Sequence, residues 1–419
     1  MRQALREEPP LLKGFVAVEL IAVLALGIFT ITNFQIWAPV DERGHFDYVE
    51  TVADQHRLPT LDRHLPLGRS YGAHTYEAFQ PPAYYVVAAP LLTMTHDHHT
   101  RILILRSFGL VLLLLTIFVF WHLVLTVFPA RPLLPFAFGM TFFLIPGVVV
   151  RSVTISYQPL GTLLAVVGLL VLVKAYRAPK GGADGWLLAS AAAVALAVMT
   201  HVLLAYLAGV FVVVGLRRLW VERDRRRTLL FLVSCASIAI ALVGPWLAFN
   251  RTHYGSLTGN FVARDIQQPL INPTHQEYTL GDVPHITSEY MKDYYLPNEW
   301  INLTVVNPVV KPTGWVLSAV LFAVPLVLFL IRPGATELDI VLVLGLPFVL
   351  SYALAVGAST NADWPSAGRY LYGAGAPWML FAYAAVSNFV RSRWLAIGIL
   401  AVAIGGVAYL WAEGLVRYF

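Results

Sequence analysis

The sequence predicts an all-α integral membrane protein with about eleven transmembrane helices. Hydrophobic residues make up 58% of the 419 residues and charged residues only 13%, and the mean hydropathy is +0.67. A soluble domain of this length is far more polar, and apolar runs long enough to cross a bilayer recur along the chain. Basic residues lie in short clusters between these runs, so the net charge of +5 indicates membrane orientation and no nucleic-acid partner.

The first apolar run covers residues 14–37, and we interpret it as a span that leaves the cytoplasm. Arg2, Arg6 and Lys13 precede it and acidic residues follow it, as the positive-inside rule requires. The run is longer than the apolar region of a signal peptide, and no small-x-small cleavage site follows it. Glu19 lies inside this run, and we expect its carboxylate to reach toward the headgroups.

Later apolar runs are each predicted to form one span. They lie near residues 102–126, 133–150, 158–176, 185–200, 201–216, 228–249, 313–331, 339–357, 370–390 and 394–412. One long tilted helix over residues 185–216 is the alternative to two short spans there. Two spans are preferred because a single helix would place Lys180 and the cluster Arg217–Arg227 on opposite sides of the membrane.

This topology makes residues 1–419 a single membrane domain with two long outer loops, 38–101 and 250–312. In the first loop, residues 41–54 have the pattern of an amphipathic helix lying in the interface, and residues 82–89 form an apolar run too short to span. We expect the second loop to cover the acceptor or donor side of a site. The single cysteine, Cys235, allows no disulfide within the chain.

Four weak motifs fall on the predicted outer side. They are Asp41-Glu42 with His45, Gln80-Pro81-Pro82 with Tyr84, Pro245-Trp246 with Asn250 and Tyr254, and Gly368-Arg369-Tyr370. In this order and on one side, they resemble the GT-C membrane glycosyltransferases that use polyprenyl-phosphate sugars, among them protein O-mannosyltransferases and aminoarabinose transferases. The resemblance covers nearly the whole chain and implies the GT-C fold, a polyprenyl-phosphate-linked sugar donor and an acceptor hydroxyl.

The resemblance implies that Asp41 is the general base of an inverting transfer, with Glu42 assisting or orienting it. A phosphate is already a good leaving group, so the main task is to deprotonate the attacking hydroxyl, which one positioned carboxylate can do. The alternative for Asp41 is a helix cap. For Glu42 it is a solvated charge at a helix start.

The same resemblance implies donor-phosphate contacts from Arg369, Tyr370, His201 and Gln80. Arginine suits a phosphate because its planar fork donates two parallel hydrogen bonds and stays charged. An interfacial anchor is the alternative for Arg369, and a packed ring is the alternative for His201. Further candidate substrate contacts are His45, Tyr84, Asn250 and Tyr254.

Three departures from the family pattern weaken the expectation of a metal and of the usual donor contacts. Many relatives carry a second acid where this chain has Gln158, a lysine where it has His201, and an arginine where it has Phe249. Asp41 and Glu42 alone are too few hard ligands for a dedicated divalent-metal site. The almost contiguous residues 96–99, with three histidines, are expected to be a solvated connector.

The alternative function is a flippase or transporter of lipid-linked sugars or envelope precursors. Such a protein places polar residues along the middle of its spans. Here the spans are almost free of charge at their centres, and the polar motifs collect on the outer side. The sequence therefore favours chemistry at the outer face of the plasma (inner) membrane, with the N-terminus in the cytoplasm.

Overall fold

The computed structural model describes residues 10–37, 41–61, 77–178, 184–222, 225–259, 279–287, 295, 316–332, 341–362, 368–390 and 393–418. Regular structure within these ranges is entirely helical. The helices, numbered in chain order, are α1 (Pro10–Asn33), α2 (Glu42–Gln55), α3 (Ala83–Leu92), α4 (His98–Val127), α5 (Leu133–Phe143), α6 (Pro146–Val153), α7 (Gln158–Arg177), α8 (Asp184–Val198), α9 (Tyr206–Glu222), α10 (Arg225–Tyr254), α11 (Val324–Ile331), α12 (Leu346–Ala362), α13 (Tyr372–Ser387) and α14 (Arg393–Tyr418). Short 3₁₀ turns cover Val202–Ala205, Leu280–Asp282 and Gly368–Leu371.

Five described helices are long and apolar enough to cross a membrane: α1, α4, α7, and the main parts of α10 and α14. The pair α5 and α6 makes a sixth if it counts as one broken span. Shorter apolar helices, including α8 and the segments Val316–Ile331 and Val341–Gly357, fill out the bundle. An integral multi-pass membrane protein is therefore confirmed, whereas the expected count of about eleven spans is not.

The span predicted over residues 133–150 is broken. α5 and α6 meet at an angle of 69°, and Ile145 between them is extended, with φ −60° and ψ 128°. Pro146 causes the break, because a proline lacks an N–H and disfavours helical backbone in the residue before it. Every residue of α6 is buried, so this short helix turns into the interior of the bundle.

Residues 185–216 form two helices, as the two-span interpretation requires. α8 ends at Val198, His201 is extended with φ −157°, and the chain restarts through the turn Val202–Ala205 into α9. The backbone N–H of Ala83 donates to the carbonyl of Met199 at 2.9 Å. The start of α3 is therefore fastened beside the break that carries His201.

α2 and α3 pack on the first half of α4. Their buried side chains form one apolar cluster, which includes Phe46, Val49, Tyr84, Tyr85 and Leu105. α2 has the bounds expected of the amphipathic helix, and α3 is the expected short apolar helix. The two helices are thus held to the bundle by packed side chains.

Residues 96–99 are exposed, as expected, and His96 and Asp97 belong to the connection between α3 and α4. His98 and His99 instead begin the 30-residue helix α4, which Asp97 caps by accepting from the N–H of Thr100 at 2.8 Å. The expectation that Glu19 reaches toward the headgroups is wrong. This residue is only 3% exposed and lies on the buried stripe of α1 with Val16 and Val23, because α1 packs against α5 and α6 along that face.

The second outer loop lies largely outside the described residues, including its aromatic stretch 290–300. Its described beginning joins the first loop, since Leu61, Ala78, Phe79 and Tyr254 form a small buried cluster. The N–H of Leu61 donates to the Tyr254 hydroxyl at 3.1 Å. The described start of the second loop therefore packs against the described parts of the first.

Candidate active site

Asp41 stands at the start of α2 without capping it. Its backbone is left-handed, with φ 70° and ψ −7°, and its side chain makes no capping hydrogen bond. The interpretation of Asp41 as a helix cap is therefore wrong. The carboxylate instead accepts a hydrogen bond from Nη2 of Arg369 at 3.0 Å. The two residues lie 328 positions apart in the sequence, so the fold brings together the predicted base and the predicted phosphate ligand.

Arg369 also lines a small cleft that is open on one side. The walls include His201, Tyr157, Gln158, Thr162 and Gly373. The Arg369 and Asp41 side chains are 14% and 15% exposed, respectively. The ion pair is thus only partly withdrawn from solvent, and one of its members faces an open space beside it.

The first turns of α7 form one side of this cleft through Gln158, Gly161 and Thr162. The N-terminus of a helix carries partial positive charge and unsatisfied N–H groups. Gly161 is needed here, because an added Cβ would lie 2.9 Å from Oγ1 of Thr200. An arginine beside a helix N-terminus makes this cleft electrostatically suited to an anion.

His201 forms a second wall of the cleft as a neutral ring. It stacks on Tyr157 with ring centroids 4.5 Å apart and planes 7° from parallel. Burial, with smaller effects of the nearby Arg369 and His45, lowers the pKa of His201 to about 3. His201 can therefore donate an N–H to an anion, but it supplies no positive charge at neutral pH.

His45 lies on α2 one turn after Asp41 and is buried. Its Nδ1 is 2.8 Å from the Tyr85 hydroxyl, and its ring meets Tyr157 edge-on at 5.2 Å. Burial lowers its pKa to about 3, against an opposing effect of Asp41. His45 is neutral at physiological pH and contacts the aromatic wall of the cleft from behind.

Glu42 is not the solvated helix-start charge that was the alternative to its catalytic role. Its side chain is fully buried and binds Arg106 through both oxygens, with Oε1–Nε at 2.8 Å and Oε2–Nη2 at 2.7 Å. Glu42 is adjacent to the candidate base in sequence, but its carboxylate is engaged within the protein.

The other predicted contact residues are four residues that are buried within the protein, and Tyr370. Gln80 and Tyr84 are buried and do not line the cleft. Asn250 is fully buried and donates to the carbonyl of Leu257 at 3.2 Å, and Tyr254 holds the first loop through Leu61. Tyr370 belongs to the turn Gly368–Leu371, and its side chain lies outside the described structure.

The cleft does not fit a divalent metal. Among the described residues, no three His, Cys, Asp or Glu side chains group as ligands. Asp41 binds Arg369, Glu42 binds Arg106, and the cleft wall offers the amide Gln158 where a second carboxylate would be needed.

Sequence reasoning missed Arg106 and Tyr157. Arg106 lay inside the predicted span 102–126, and a charge within a span is itself a signal of function or of a buried partner. Tyr157 precedes Gln158 in the sequence, and nothing in its local pattern marks it as a site residue. Its role as the aromatic wall between His45 and His201 depends on contacts that no local pattern indicates.

No protein-family model matches the chain, and no curated protein is similar to it in sequence. Solved structures do match its fold. ArnT from Cupriavidus metallidurans bound to undecaprenyl phosphate matches with a TM-score of 0.60 at 16% identity, covering 94% of this chain and 64% of that chain. The oligosaccharyltransferase AglB from Archaeoglobus fulgidus, in complex with an inhibitory peptide and a dolichol-phosphate, matches with a TM-score of 0.53 at 13% identity, covering 96% and 56%.

The chain thus spans less than two thirds of the length of these two proteins. Identities this low establish the fold alone. The chain shares the fold of these two solved membrane proteins, which agrees with the fold that the sequence resemblance implied.

Proposed function

We propose that this chain is a membrane glycosyltransferase that moves a sugar from a polyprenyl-phosphate donor to an acceptor hydroxyl, with inversion and with Asp41 as general base. The observation that carries the proposal is the ion pair between Asp41 and Arg369 at 3.0 Å beside an anion-suited cleft. It unites a carboxylate able to accept a proton with a guanidinium able to bind a phosphate.

The donor phosphate is proposed to lie between Arg369 and the first turns of α7. As the bond from the anomeric carbon to the phosphate oxygen breaks, negative charge grows on the phosphate. A fixed arginine and helix N-terminus stabilise that charge without rearranging. Neutral His201 adds an N–H donor and, with Tyr157, a flat aromatic wall for the sugar ring.

Asp41 is proposed to take the proton of the acceptor hydroxyl as its oxygen attacks the anomeric carbon. Attack from the face opposite the phosphate inverts that carbon, and the phosphate departs with the electrons of the broken bond. Because Arg369 holds Asp41 before the donor binds, a phosphate that takes up the guanidinium frees the carboxylate for the acceptor. Donor binding and activation of the base are thereby linked through one side chain.

Support for the fold-level part of the proposal comes from the neighbours, two of which were solved with polyprenyl-type phosphates, undecaprenyl phosphate and dolichol-phosphate. The lipid bilayer would deliver such a donor, and the predicted orientation places the site at the outer face of the plasma membrane. The acceptor is proposed only as a hydroxyl compound.

The test is transfer by the purified protein in lipid nanodiscs. A panel of radiolabelled undecaprenyl-phosphate hexoses and pentoses is offered with sugar, lipid and peptide hydroxyl acceptors. We expect wild-type protein to release undecaprenyl phosphate and form product, and Asp41→Asn to lower kcat by about 10²–10⁴-fold. Asp54→Asn is the matched control, since it removes a carboxylate from the other end of the same helix.

Asp41→Asn should still bind undecaprenyl phosphate, because Arg369 and α7 remain. Full activity of this variant would overturn the base assignment. Absence of transfer with every donor, combined with movement of the labelled lipid between leaflets, would favour the alternative of a flippase. Among the described residues, Glu19 is the only buried carboxylate within a predicted span. A flippase would need more ionisable groups along its transport pathway.

A further inference from the structure

A buried ion pair lies directly beneath Asp41, and the reaction proposed above does not use it. Glu42 and Arg106 are each 1% exposed, and two short hydrogen bonds of 2.8 and 2.7 Å join them. Burying two charges is unfavourable unless their remaining hydrogen-bonding positions are also filled. Glu42 and Arg106 accordingly make further hydrogen bonds to backbone atoms on two sides.

On one side, the pair binds the backbone that follows α1. Arg106 donates from Nη1 to the carbonyl of Phe34 at 2.9 Å and from Nη2 to the carbonyl of Gln35 at 3.3 Å. Oε2 of Glu42 accepts from the N–H of Trp37 at 3.2 Å. The segment that leads to Asp41 is thus fixed to α4 at several backbone atoms.

On the other side, the pair reaches the wall of the cleft. Oε1 of Glu42 accepts from the N–H of Ile155 at 3.3 Å. Tyr157 and Gln158, which line the cleft, follow within three residues. One side chain therefore connects the backbone beside the candidate base to the backbone that presents the cleft wall.

We infer that Glu42 and Arg106 are positioning residues, which set the distance between the Asp41 carboxylate and a donor sugar in the cleft. Neither residue touches substrate in this role, and Glu42 is not a second base. The inference rests on the proposed function, because a distance to the donor sugar matters only if Asp41 acts on an acceptor there. A misplacement of about 1 Å can lower a rate by about 10²-fold.

The first arm of the test uses Glu42→Gln and Arg106→Gln with the transfer assay. We expect each to lower kcat at least tenfold while the KM for the undecaprenyl-phosphate donor changes less than threefold, because Arg369 and α7 stay in place. Arg106→Lys, which keeps the charge, should recover part of kcat. The matched control is Arg101→Gln, which breaks an ion pair of 2.9 and 3.0 Å between the same two helices, nearer the other end of α2.

The second arm is the double variant Glu42→Gln with Arg106→Gln. Two facing amides leave no unpaired charge, so a positioning pair should regain activity over either single variant. A catalytic Glu42 would leave the double variant as slow as Glu42→Gln alone. That result, or a kcat for Arg101→Gln as low as for Arg106→Gln, would overturn the inference.

Hydrogen exchange at the N–H groups of Trp37 and Ile155 gives a readout that does not depend on transfer. Loss of protection at both sites in Glu42→Gln, with kcat unchanged, would show a structural anchor and overturn the positioning role. Lack of transfer by the wild-type protein would instead overturn the proposed function. The two failures are therefore distinguishable.

Discussion

Asp41 adopts a backbone conformation that most residues avoid. Its φ of 70° lies in the left-handed region, where an L-residue is destabilised by about 1–2 kcal/mol, although Asp and Asn visit it more readily than others. Strained residues of this kind cluster at functional sites. The conformation also makes Asn the informative replacement, because it removes the carboxylate charge while tolerating the same φ, whereas Ala would add a backbone effect.

The two histidines beside the cleft make stability depend on pH. The pKa of His45 and that of His201 are about 3 in the folded chain, against 6.5 for an unperturbed histidine. The unfolded state therefore binds more protons between pH 6.5 and 3. Above pH 6.5 each ring is neutral in both the folded and the unfolded state, so its protonation does not affect stability. As the pH falls toward 3, the ring is protonated only in the unfolded state, and the free energy of unfolding decreases. At pH 5 the loss is at most about 2 kcal/mol for each ring.

We predict that the thermal midpoint in nanodiscs falls between pH 7 and pH 5, and falls less for His201→Phe. Phenylalanine keeps a ring against Tyr157 but does not titrate. His96→Gln, at an exposed histidine, should show the wild-type pH dependence. An equal fall in wild type and His201→Phe would show that protonation of His201 does not destabilise the folded protein.

At the scale of elements, α2 is fastened to α4 at two levels. Arg106 binds Glu42 at the start of α2, and Arg101 binds Glu50 and Asp54 in its second half. Both arginines come from the N-terminal part of α4. The contact of Arg106 holds the end of α2 that carries Asp41, whereas the contacts of Arg101 hold the far end of the helix.

α4 is itself held against α6 by a close backbone approach. A Cβ added at Gly109 would lie 2.3 Å from the carbonyl oxygen of Ser152, and a backbone atom cannot rotate away as a side chain can. We predict that Gly109→Ala separates the two helices and lowers the free energy of unfolding by about 1–3 kcal/mol. Its thermal midpoint should drop, and kcat should fall because α6 leads into the cleft wall at Tyr157.

The matched control is Gly14→Ala in α1, where an added Cβ meets no atom within 4 Å. This change should leave the thermal midpoint unchanged or raise it slightly, since Ala favours a helix over Gly. Equal midpoints for the two variants would show that the approach at Gly109 is not required.

At the scale of the whole molecule, the sequence predicted the structural features that depend on a local pattern of residues. Hydropathy located most apolar helices, and the spacing of Phe46, Val49 and Ala53 predicted α2. The bend at Pro146 was open to prediction from a proline inside an apolar run, but its direction follows from packing. The contacts of Arg369 with Asp41 and of Arg106 with Glu42 span hundreds or tens of residues, and only the assembled bundle determines them.

Membrane orientation is the remaining property of the whole molecule that the charge pattern predicts. α4 is 30 residues long, or about 45 Å at the rise of an α-helix, which is long enough for its two ends to lie on opposite sides of a bilayer. His96 precedes α4 on the side of Asp41 and the cleft, and Arg131 follows it. Both are exposed, and the positive-inside rule assigns Arg131 to the cytoplasm.

We therefore predict opposite labelling of two single-cysteine variants in right-side-out membrane vesicles. With Cys235→Ala to remove the one native thiol, His96→Cys should react with a membrane-impermeant maleimide in intact vesicles. Arg131→Cys should react only after permeabilisation. The reverse pattern would place Asp41 and Arg369 in the cytoplasm, so the donor sugar would have to be presented from the cytoplasmic leaflet. Labelling of both sites in intact vesicles would mean that α4 does not cross the membrane.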